Sequence, residues 1–378
     1  MAGIYIHIPF CKKKCIYCNF YSIVNMQKFE KYVEAVVKEV ERSDGGLPPD
    51  DGRGDKTINT LYFGGGTPSL LPIHSLQKII TTIHKTFNIA TEVECTIEGN
   101  PEQLTLAYLK DLNSLGFNRI SIGVQSFNDD ILHFLGRTHS GKDAFHAIEN
   151  AQIAGFENIS IDLMYGIYMR SLQDWKNELK TVFQLPVKHL SAYSLTVEEN
   201  TLLHKKIAQQ KILQIDEYRS LQELRLLMDE TEIAGFEHYE VSNFALRGYH
   251  SKHNSNYWNG TPYVGFGASA HSFTGATRSW NISNVEKYMQ AIEGKGPFFE
   301  TEYLTPVDQR NEFILLGLRT KSGIDLACFE SRFGTDKMNE LLKALEKIDP
   351  KYYHHHNHHI AITKEGLPLL DFITAQLF

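Results

Sequence analysis

Three cysteines near the start of this chain restrict its fold and chemistry more than any other feature. The segment Gly3–Ser22 reads GIYIHIPFCKKKCIYCNFYS, in which alternating apolar residues predict a strand that runs directly into Cys11, Cys15 and Cys18. Because the three thiols fall within one short loop, they must lie near one another. The loop therefore predicts a shared site directly after the first strand.

The C-x3-C-x2-C spacing favours an iron–sulfur cluster. A disulfide would leave one thiol unpaired, and a tetrahedral zinc site needs a fourth Cys or His ligand, which does not follow nearby. A cubane 4Fe-4S cluster takes one thiolate per iron, so three cysteines leave the fourth iron open. Lysines inside the loop favour thiolates and an anionic cluster. We therefore expect a 4Fe-4S cluster, with a zinc site or three structural cysteines as the alternatives.

A repeated pattern of helix, glycine and strand predicts a parallel sheet with helices outside. The segment Gly116–Ile122 returns as Gly155–Ile161 and, more weakly, as Gly235–Val241. Glycine commonly ends a helix, so each copy indicates a helix, a stop and a strand. Six short apolar strands between Ile4 and Leu195 suit an open, partial (β/α)6 barrel of the TIM type. The predicted fold class is α/β, with a small, mainly helical C-terminal domain.

Polar residues occur at the ends of the predicted strands. The cysteines follow the first strand, and the other positions are Gly64–Pro68 after the second, Glu98 ending the third, Gln125 after the fourth, Asp162 ending the fifth and Tyr193–Thr196 ending the sixth. The carboxyl ends of parallel strands form the face on which barrel enzymes build their sites. We therefore expect these residues to share one site.

The cysteine loop resembles the signature of the radical SAM superfamily. This resemblance implies that the amino and carboxylate groups of S-adenosylmethionine (SAM) chelate the open iron. The segment Tyr5–Cys11, YIHIPFC, narrows the resemblance to the branch of oxygen-independent coproporphyrinogen III dehydrogenase and its relatives. The resemblance covers nearly the whole chain.

The same resemblance implies which residues lie against SAM. Gly64–Pro68, GGGTP, is similar to the family's glycine motif beside the SAM amino group, although alone it is a common turn. Glu98 matches the acidic residue beside SAM, and the fork-shaped guanidinium of Arg137 suits a carboxylate. The implied cofactor-binding residues are Tyr5, Tyr17, Gly65, Gly66, Thr67, Glu98, Gln125, Arg137 and Asp162.

Two departures from the dehydrogenase pattern change the expected function. Phe20 stands where that enzyme has a fourth cysteine, and ten residues precede the cluster loop where the enzyme has a long arm. Both features resemble the HemW-type heme chaperones instead. We therefore expect a chaperone more than an oxidase.

A second motif resembles the same chaperone branch. The segment His253–Trp258 reads HNSNYW, and the resemblance implies that its histidine binds heme. Imidazole is a normal axial ligand of heme iron, and the motif's aromatic residues offer flat apolar surface. His253 is the predicted heme ligand, with His271 and His250 as weaker candidates, whereas His7 is expected inside the barrel. The alternative is a packed loop whose histidine caps a turn.

The predicted function is to bind a 4Fe-4S cluster, SAM and heme and to hand heme to acceptor proteins, including respiratory and membrane-bound ones. The alternative is a radical SAM enzyme, a coproporphyrinogen III dehydrogenase that removes hydrogen from a porphyrinogen propionate. A methyltransferase or cyclopropanase of the same branch has no positive feature in its favour. Whether SAM is cleaved, and hence whether the protein is an enzyme, stays open, and no catalytic residue is assigned.

The chain is predicted to contain three regions: a barrel with the cluster and SAM site at residues 1–200, an extension with the HNxxYW motif at 201–293, and a small helical or winged domain at 294–378. Helices are predicted at Pro306–Lys321, Leu326–Phe333 and Asp336–Ile348, followed by a hairpin and a closing helix. The internal run His354–His359 is predicted to be a solvated turn, with a metal or heme site as the alternative.

Composition and charge narrow the partners and the compartment. The net charge of -7 and the lack of a basic patch argue against nucleic acid as a partner. Few cysteines lie outside the loop, which indicates a reducing cytoplasm. No apolar run or N-terminal pattern indicates a membrane span or signal peptide. We expect a cytoplasmic monomer or homodimer, with Ser43–Asp55 as a polar surface loop.

Overall fold

The computed structural model describes residues 2–43, 57–213, 216–294 and 296–378. Its centre is a sheet of parallel strands that alternate along the chain with helices. Apart from Ser43, the predicted surface loop Ser43–Asp55 lies outside the described residues.

Six parallel strands form the centre of this sheet, as the sequence predicts. They are β1 (Ala2–Ile8), β2 (Ile58–Gly65), β3 (Ile89–Gly99), β4 (Arg119–Gln125), β5 (Asn158–Tyr165) and β6 (His189–Ser194). They pair with one another in chain order, and among the described residues no pairing closes the sheet on itself. The prediction of an open, partial barrel is confirmed.

The two faces of this sheet differ in polarity. In β4, Arg119 and Ser121 lie on one face and Ile120 and Ile122 on the other, because successive side chains of a strand point to opposite sides. The isoleucines belong to the main apolar core, which also contains the buried residues of the surrounding helices. Residues paired across parallel strands share a face, so the polar residues line a second surface, which we call the inner face. Its members include Tyr5, His7, Tyr62, Glu98, Arg119, Ser121, Asp162 and Ser191.

Helices connect the parallel strands. They are α1 (Phe29–Arg42), α2 (Ile73–Thr86), α3 (Leu106–Ser114), α4 (Asp129–Leu135), α5 (Gly141–Ile153) and α6 (Leu172–Val182). All of them except α4 bury residues in the main apolar core. Residues of α4 belong instead to a smaller apolar cluster beside the cysteine loop. In α1, Val33, Val36 and Val40 recur at helical spacing and are buried. Ser140 and Ser171 begin α5 and α6 with capping boxes, which satisfy the first backbone N–H groups.

The repeated glycines end helices, as predicted. After β6 the chain forms α7 (Leu202–Ala208) and α8 (Glu217–Ile233). Gly116, Gly155 and Gly235 follow α3, α5 and α8 with φ of +93°, +96° and +81°, a left-handed conformation that favours glycine. The first two copies lead into parallel strands, whereas the third leads into an antiparallel hairpin.

Antiparallel strands extend the sheet at both edges. At the β6 edge lie β7 (Glu237–Glu240) and β8 (Asn243–Ala245), with β8 paired to β6. Beyond α9 (Lys252–Trp258), β9 (Tyr263–Phe266) runs parallel to β1. The edge beyond β9 is antiparallel and consists of β10 (His271–Phe273), β11 (Thr277–Asn281) and, after α10 (Val285–Gly294), β12 (Phe299–Tyr303). Strand β12 follows residue 294, where the third region is predicted to begin, yet it still pairs with the large sheet.

The C-terminal region folds around an apolar core of its own. Its elements are α11 (Pro306–Leu318), β13 (Ile324–Asp325), α12 (Leu326–Phe333), α13 (Thr335–Leu345), β14 (Tyr353–His356), β15 (His359–Ile362) and α14 (Leu370–Gln376). Val241 N–H donates to Arg319 O at 3.0 Å and Lys321 N–H to Tyr239 O at 3.0 Å, which covers the free edge of β7. Within the described ranges, the helices are all too short or too polar to cross a bilayer.

The histidine run forms the tip of the β14–β15 hairpin. Asn357 and His358, with φ of +50° and +61°, make a two-residue turn of the hairpin type. The run is exposed as far as His358, as expected for a solvated turn. In the described part of the chain, no group of three or more His, Cys, Asp or Glu side chains is arranged to bind a single metal ion.

Candidate functional site

The cysteine loop begins where β1 ends, at the carboxyl edge of the parallel strands. Two backbone hydrogen bonds close it, from Ile23 N–H to Pro9 O at 2.7 Å and from Cys11 N–H to Ile23 O at 2.9 Å. Cys11, Cys15 and Cys18 are free thiols, each partly exposed. The loop therefore presents three thiols at the edge where the sequence predicts a cluster.

Polar groups of neighbouring loops contact two of these thiols. Thr67 Oγ1 lies 3.6 Å from Cys11 Sγ, and Arg137 Nη1 lies 3.5 Å from Cys15 Sγ. Burial raises the pKa of the Cys11 and Cys18 thiols, so their thiolates need compensating positive charge. Iron would supply that charge. Because a cubane binds each thiolate through a different iron, the sulfur atoms need not converge on one point.

Arg137 connects the cysteine loop with the ends of β3 and β4. Its Nη2 donates to Asn100 Oδ1 at 2.7 Å and to Gly123 O at 2.8 Å. Its Nε is buried and has no hydrogen-bond partner among the described residues. A buried donor without an acceptor costs free energy, so a ligand carboxylate at this position would be stabilised. This fits the role that the family resemblance implies.

Glu98 lies near the end of β3 and accepts two hydrogen bonds. They come from Tyr62 Oη at 2.7 Å and from Gly65 N–H at 3.1 Å. Burial raises the pKa of Glu98 to about 7, although both hydrogen bonds favour the anion. A positively charged ligand that donates hydrogen bonds would favour the ionised form. This environment fits the acidic residue predicted to lie beside SAM.

The glycines at the end of β2 let the chain pass close to β1 and to the cysteine loop. Gly65 has φ of +107°, and a Cβ there would lie 2.5 Å from His7 Cε1. A Cβ at Gly66 would lie 2.7 Å from Phe10 O. Neither position accepts a side chain without displacing its neighbours. The close approach brings Thr67, the next residue, against Cys11.

Tyr5 and His7 form the part of the inner face that β1 contributes. Tyr5 Oη lies 3.0 Å from His7 Nδ1, and His7 Nε2 lies 3.0 Å from Tyr21 O. Burial lowers the pKa of His7 to about 4, so the ring is neutral. Since a carbonyl only accepts, Nε2 carries the proton and Nδ1 accepts from Tyr5. His7 thus has the interior position that the sequence predicts.

The remaining predicted cofactor residues differ in placement. Gln125 is the last residue of β4 and has φ of +67°, which is uncommon for a residue other than glycine. Asp162 lies within β5 rather than at its end, where it accepts from Ser121 Oγ at 3.2 Å. Its predicted position was wrong because the strand continues past it to Tyr165. Tyr17 packs beside an apolar cluster, and burial raises the pKa of its hydroxyl.

His253, the predicted heme ligand, lies apart from the thiols, inside the barrel near the start of β2. It is 1% exposed, and its ring stacks on Tyr62 with 4.9 Å between centroids. Its Nδ1 lies 2.8 Å from Thr60 Oγ1 and its Nε2 lies 2.9 Å from Tyr257 Oη. The ring therefore presents no free nitrogen to an incoming iron. The assignment of His253 as the heme ligand stays a prediction, and it would require the ring to give up one of these two hydrogen bonds.

The HNSNYW motif has a structural explanation. The Glu94 carboxylate accepts from Lys252 N–H and His253 N–H, both at 3.0 Å, and so satisfies the first turn of α9. Tyr257 lies one helical turn after His253, which brings its hydroxyl to the ring. The alternative from the sequence, a packed loop whose histidine caps a turn, is right only in the packing of the aromatic residues, because the motif forms a helix and Glu94 caps its first turn.

Tyr62 and Asn100 contact the candidate site although the sequence did not single them out. Tyr62 binds Glu98 and stacks on His253, while Asn100 binds Arg137. Tyr62 is a polar residue between buried apolar residues of β2, and Asn100 directly follows β3. Alternation within a strand and position after a strand were the signals that could have identified them.

Two family models match parts of this chain. Residues 5–182 match the family model described as the Radical SAM superfamily, and residues 304–369 match that of the HemN C-terminal domain. The heme chaperone HemW of Bacillus subtilis (strain 168) is 34% identical over 370 residues, covering 97% of this chain and 96% of that protein. HemW of Lactococcus lactis subsp. lactis (strain IL1403) is 32% identical over 368 residues, covering 97% and 94%.

One solved structure is similar along the whole chain. It is the coproporphyrinogen III oxidase HemN from Escherichia coli, described as a radical SAM enzyme, with a TM-score of 0.83 and 22% identity. The similarity covers 100% of this chain and 89% of that one. At this identity the comparison shows the shared fold alone.

We expect His253→Gln to make the protein less sensitive to acid. Burial lowers the pKa of His253 to about 3, below the value of about 6.5 for an unfolded histidine. As the pH falls below about 6.5, the unfolded chain binds a proton that the folded chain does not, so stability is lost. Glutamine retains polar atoms and does not titrate. The urea midpoint should therefore fall less between about pH 7 and about pH 5 than in the wild type.

His250→Gln is the matched control, because His250 is half-exposed and pairs with Glu237 at 3.1 Å. It should retain the wild-type pH dependence. His7 and His189 are also buried with lowered pKa values, so the dependence should decrease in His253→Gln without vanishing. If the urea midpoint of His253→Gln falls with pH as steeply as that of the wild type, the lowered pKa of His253 is not a cause of the acid sensitivity.

Proposed function

The chain belongs to the family of the heme chaperone HemW within the radical SAM superfamily, and from that premise we propose that it binds a 4Fe-4S cluster, SAM and heme and delivers the heme to acceptor proteins. Respiratory proteins, membrane-bound ones among them, are the proposed acceptors. The proposal includes a cytoplasmic location and a monomeric or homodimeric state.

The observation that carries the cofactor part of this proposal is a convergence of groups at the carboxyl edge of the sheet. Cys11, Cys15 and Cys18 are partly exposed there, beside the Arg137 guanidinium and the inner-face carboxylate of Glu98. The cluster would supply an open iron for the amino and carboxylate groups of SAM. Arg137, with its unpaired Nε, would bind the carboxylate of SAM. Glu98 would accept hydrogen bonds from SAM and balance its sulfonium charge.

Phe20 supports a chaperone over a dehydrogenase. It stands where the dehydrogenase has its fourth cysteine, and its side chain is 71% exposed. A phenyl ring does not ligate iron, so this position contributes no ligand to the cluster or to a second metal. The fold is common to both kinds of protein and does not distinguish them. The two relatives compared above, which match along nearly the full chain, are named heme chaperones.

Heme enters this proposal as cargo. Binding requires an accessible axial ligand or a flat apolar surface, and release to an acceptor requires that the ligand bond be reversible. His253 stays the proposed ligand of this cargo. Because its ring is buried, heme binding would have to displace the hydrogen bond that one of its nitrogens makes to Thr60 or to Tyr257.

Replacing a loop cysteine should abolish the cluster. In Cys11→Ser, Cys15→Ser or Cys18→Ser, one iron loses its thiolate, and iron after anaerobic reconstitution should fall from about four atoms per chain to near background. Cys328→Ser is the matched control, because Cys328 is an exposed thiol on α12, outside the barrel. Iron and sulfide analysis provides the measurement. Full iron content in any of the three loop variants would contradict the ligand assignment.

SAM binding should strengthen as the pH rises through about 7, because the buried Glu98 carboxyl ionises there. Burial and the nearby Asp162 raise the pKa of Glu98, and Arg119 lowers it. An ionised carboxylate is the better acceptor for the donors of SAM. Glu98→Gln should weaken binding about tenfold at alkaline pH and flatten this part of the pH dependence. Glu102→Gln is the control: the Glu102 carboxylate lies on the same edge and accepts from Thr138, and the variant should retain the wild-type pH dependence of SAM binding. Equilibrium dialysis with labelled SAM measures both, and an unchanged profile in Glu98→Gln would exclude the role.

The proposed function is tested by offering the reconstituted protein two ligands separately. With hemin, we expect one heme bound per chain and transfer to an apoprotein acceptor. With coproporphyrinogen III, SAM and a reductant, we expect no vinyl product, because the chain lacks the fourth cysteine of the dehydrogenase pattern. Chromatography detects protoporphyrinogen IX, and its formation would show that the protein is the enzyme.

A further inference from the structure

The large sheet has two ends, and the structure covers one of them. At that end, residues 319–321 bond to the backbone of Tyr239 and Val241 and so cover β7. At the other end lies β12 (Phe299–Tyr303), which pairs with β11 alone among the described strands. An edge strand with unpaired backbone groups is a template for a further strand. The β12 edge is therefore a candidate interaction surface.

The register of β12 with β11 determines which backbone groups point outward. Ile282 N–H donates to Phe298 O at 2.8 Å and Leu304 N–H donates to Ala276 O at 3.0 Å, and each bond joins residues directly opposite each other in the register. Hydrogen-bonded and non-hydrogen-bonded pairs alternate along an antiparallel ladder. The N–H and C=O groups of the residues in between therefore point away from β11, at Phe299, Thr301 and Tyr303.

Strand β12 lacks the features that usually block an edge. Its five residues are all exposed, and Phe299 and Tyr303 expose 51% and 78% of their surface. In the part of the chain that the structure describes, no group bonds to the outward backbone atoms. The strand contains no proline or lysine, and its pairing with β11 has no bulge. A partner strand can therefore pair along the full length of β12.

One face of β12 is acidic, which restricts the charge of the partner. Glu300 and Glu302 lie on this face, opposite Trp280 and Arg278 of β11. The Arg278 guanidinium forms its ion pair with Glu312 instead, at 2.5 Å. No described cation forms an ion pair with either glutamate of the strand. A basic side chain placed opposite them would therefore gain an interaction that the chain itself does not supply.

The other face of β12 is largely aromatic. Phe299, Thr301 and Tyr303 alternate with the two glutamates, because successive side chains of a strand point to opposite sides. Contacts between aromatic and branched apolar side chains stabilise cross-strand pairs. The matching strand therefore carries basic residues on one face and apolar residues on the other.

A second copy of this chain is a poor match for β12. In an antiparallel pair of two copies, residues with outward backbone groups must lie opposite one another. Every such register that pairs at least two of these residues places Glu300 or Glu302 of one copy opposite Glu300 or Glu302 of the other. Like charges directly opposite each other are destabilising. The charges oppose self-pairing and favour a basic partner.

We propose that β12 binds an extended segment of another protein, in which basic residues alternate with apolar ones, as an additional antiparallel strand of the sheet. Hydrogen bonds to the outward backbone groups supply affinity, and the alternating side chains supply specificity, as is general for strand addition. This inference goes beyond the proposed function and does not depend on it.

The test is the fluorescence anisotropy of a labelled synthetic peptide, in which lysine alternates with valine, titrated with the full chain. When the lysines lie opposite the glutamates, the valine N–H groups face β12. The peptide should bind, and N-methyl groups on its valines should weaken binding at least about tenfold. The matched control is the same peptide with N-methyl groups on its lysines, which has the same charge and should bind as the unmodified peptide does.

Variants of β12 test the same contacts from the protein side. Thr301→Pro should also weaken binding at least about tenfold, because the N–H that proline lacks points away from β11 and the bonds to β11 are kept. Thr301→Ala retains the N–H and should bind as the parent does. Circular dichroism should show that both variants fold, and the two methylated peptides test the inference on the parent whatever Thr301→Pro does.

The acidic face is tested by a double variant. Glu300→Gln with Glu302→Gln should weaken peptide binding about fivefold and make it less dependent on salt. Glu346→Gln with Glu365→Gln is the matched control, because both glutamates are exposed in the C-terminal region and lie outside β12. This control should bind the peptide as the parent does.

Three results would overturn the inference. One is a parent that does not bind the peptide. Another is equal binding of the two methylated peptides, or parent-like binding by a folded Thr301→Pro, since charge alone would then attract the peptide. The third is a dimer of the parent, found by sedimentation, that Thr301→Pro abolishes, because a second copy would then be the occupant. None of these results bears on the binding of the cluster, SAM or heme.

Discussion

The alternation of polar and apolar residues along the parallel strands is the constraint on which the rest of this structure depends. One face of the sheet is isoleucine-rich and buried against helices, whereas the other carries tyrosine, histidine, carboxylate and guanidinium groups. Slipping any strand by one residue would exchange the two faces, burying charges against apolar helices. The register that forms the core therefore also forms the polar inner face. Core packing and the candidate site are specified by the same alternation.

The cysteine loop depends on this inner face for its position. His7 extends from β1 to the Tyr21 carbonyl of the loop, and Gly65 at the end of β2 leaves room for its ring. Thr67 and Arg137 contact the thiols from the β2 loop and from the end of α4. The loop is thus held by the ends of several strands, although its ligands come from one short segment. In the proposed function, this arrangement would separate cluster binding, which is local, from SAM binding, which would require the assembled sheet.

His253 and His271 show how the fold gives the same residue type different surroundings. His253 occurs in a prominent motif, yet the motif's own tyrosine and a threonine of β2 occupy both of its nitrogens. His271 occurs in no comparable motif and remains exposed beside Trp280. A buried imidazole without partners would be costly, so a histidine in a barrel interior acquires hydrogen bonds that compete with any ligand. Exposure at a sheet edge removes that competition.

The sequence by itself determined the local features of this protein. Strand alternation, helix periodicity and the glycine stops predicted the order of elements, and the cysteine spacing predicted the cluster site, because each depends on residues close together in the chain. Only the tertiary structure decided which distant residues meet. It placed Asp162 within a strand, led the third glycine copy into an antiparallel hairpin and enclosed His253 among Thr60, Tyr62 and Tyr257. These outcomes depend on strand register and on pairing between distant segments, which no local pattern encodes.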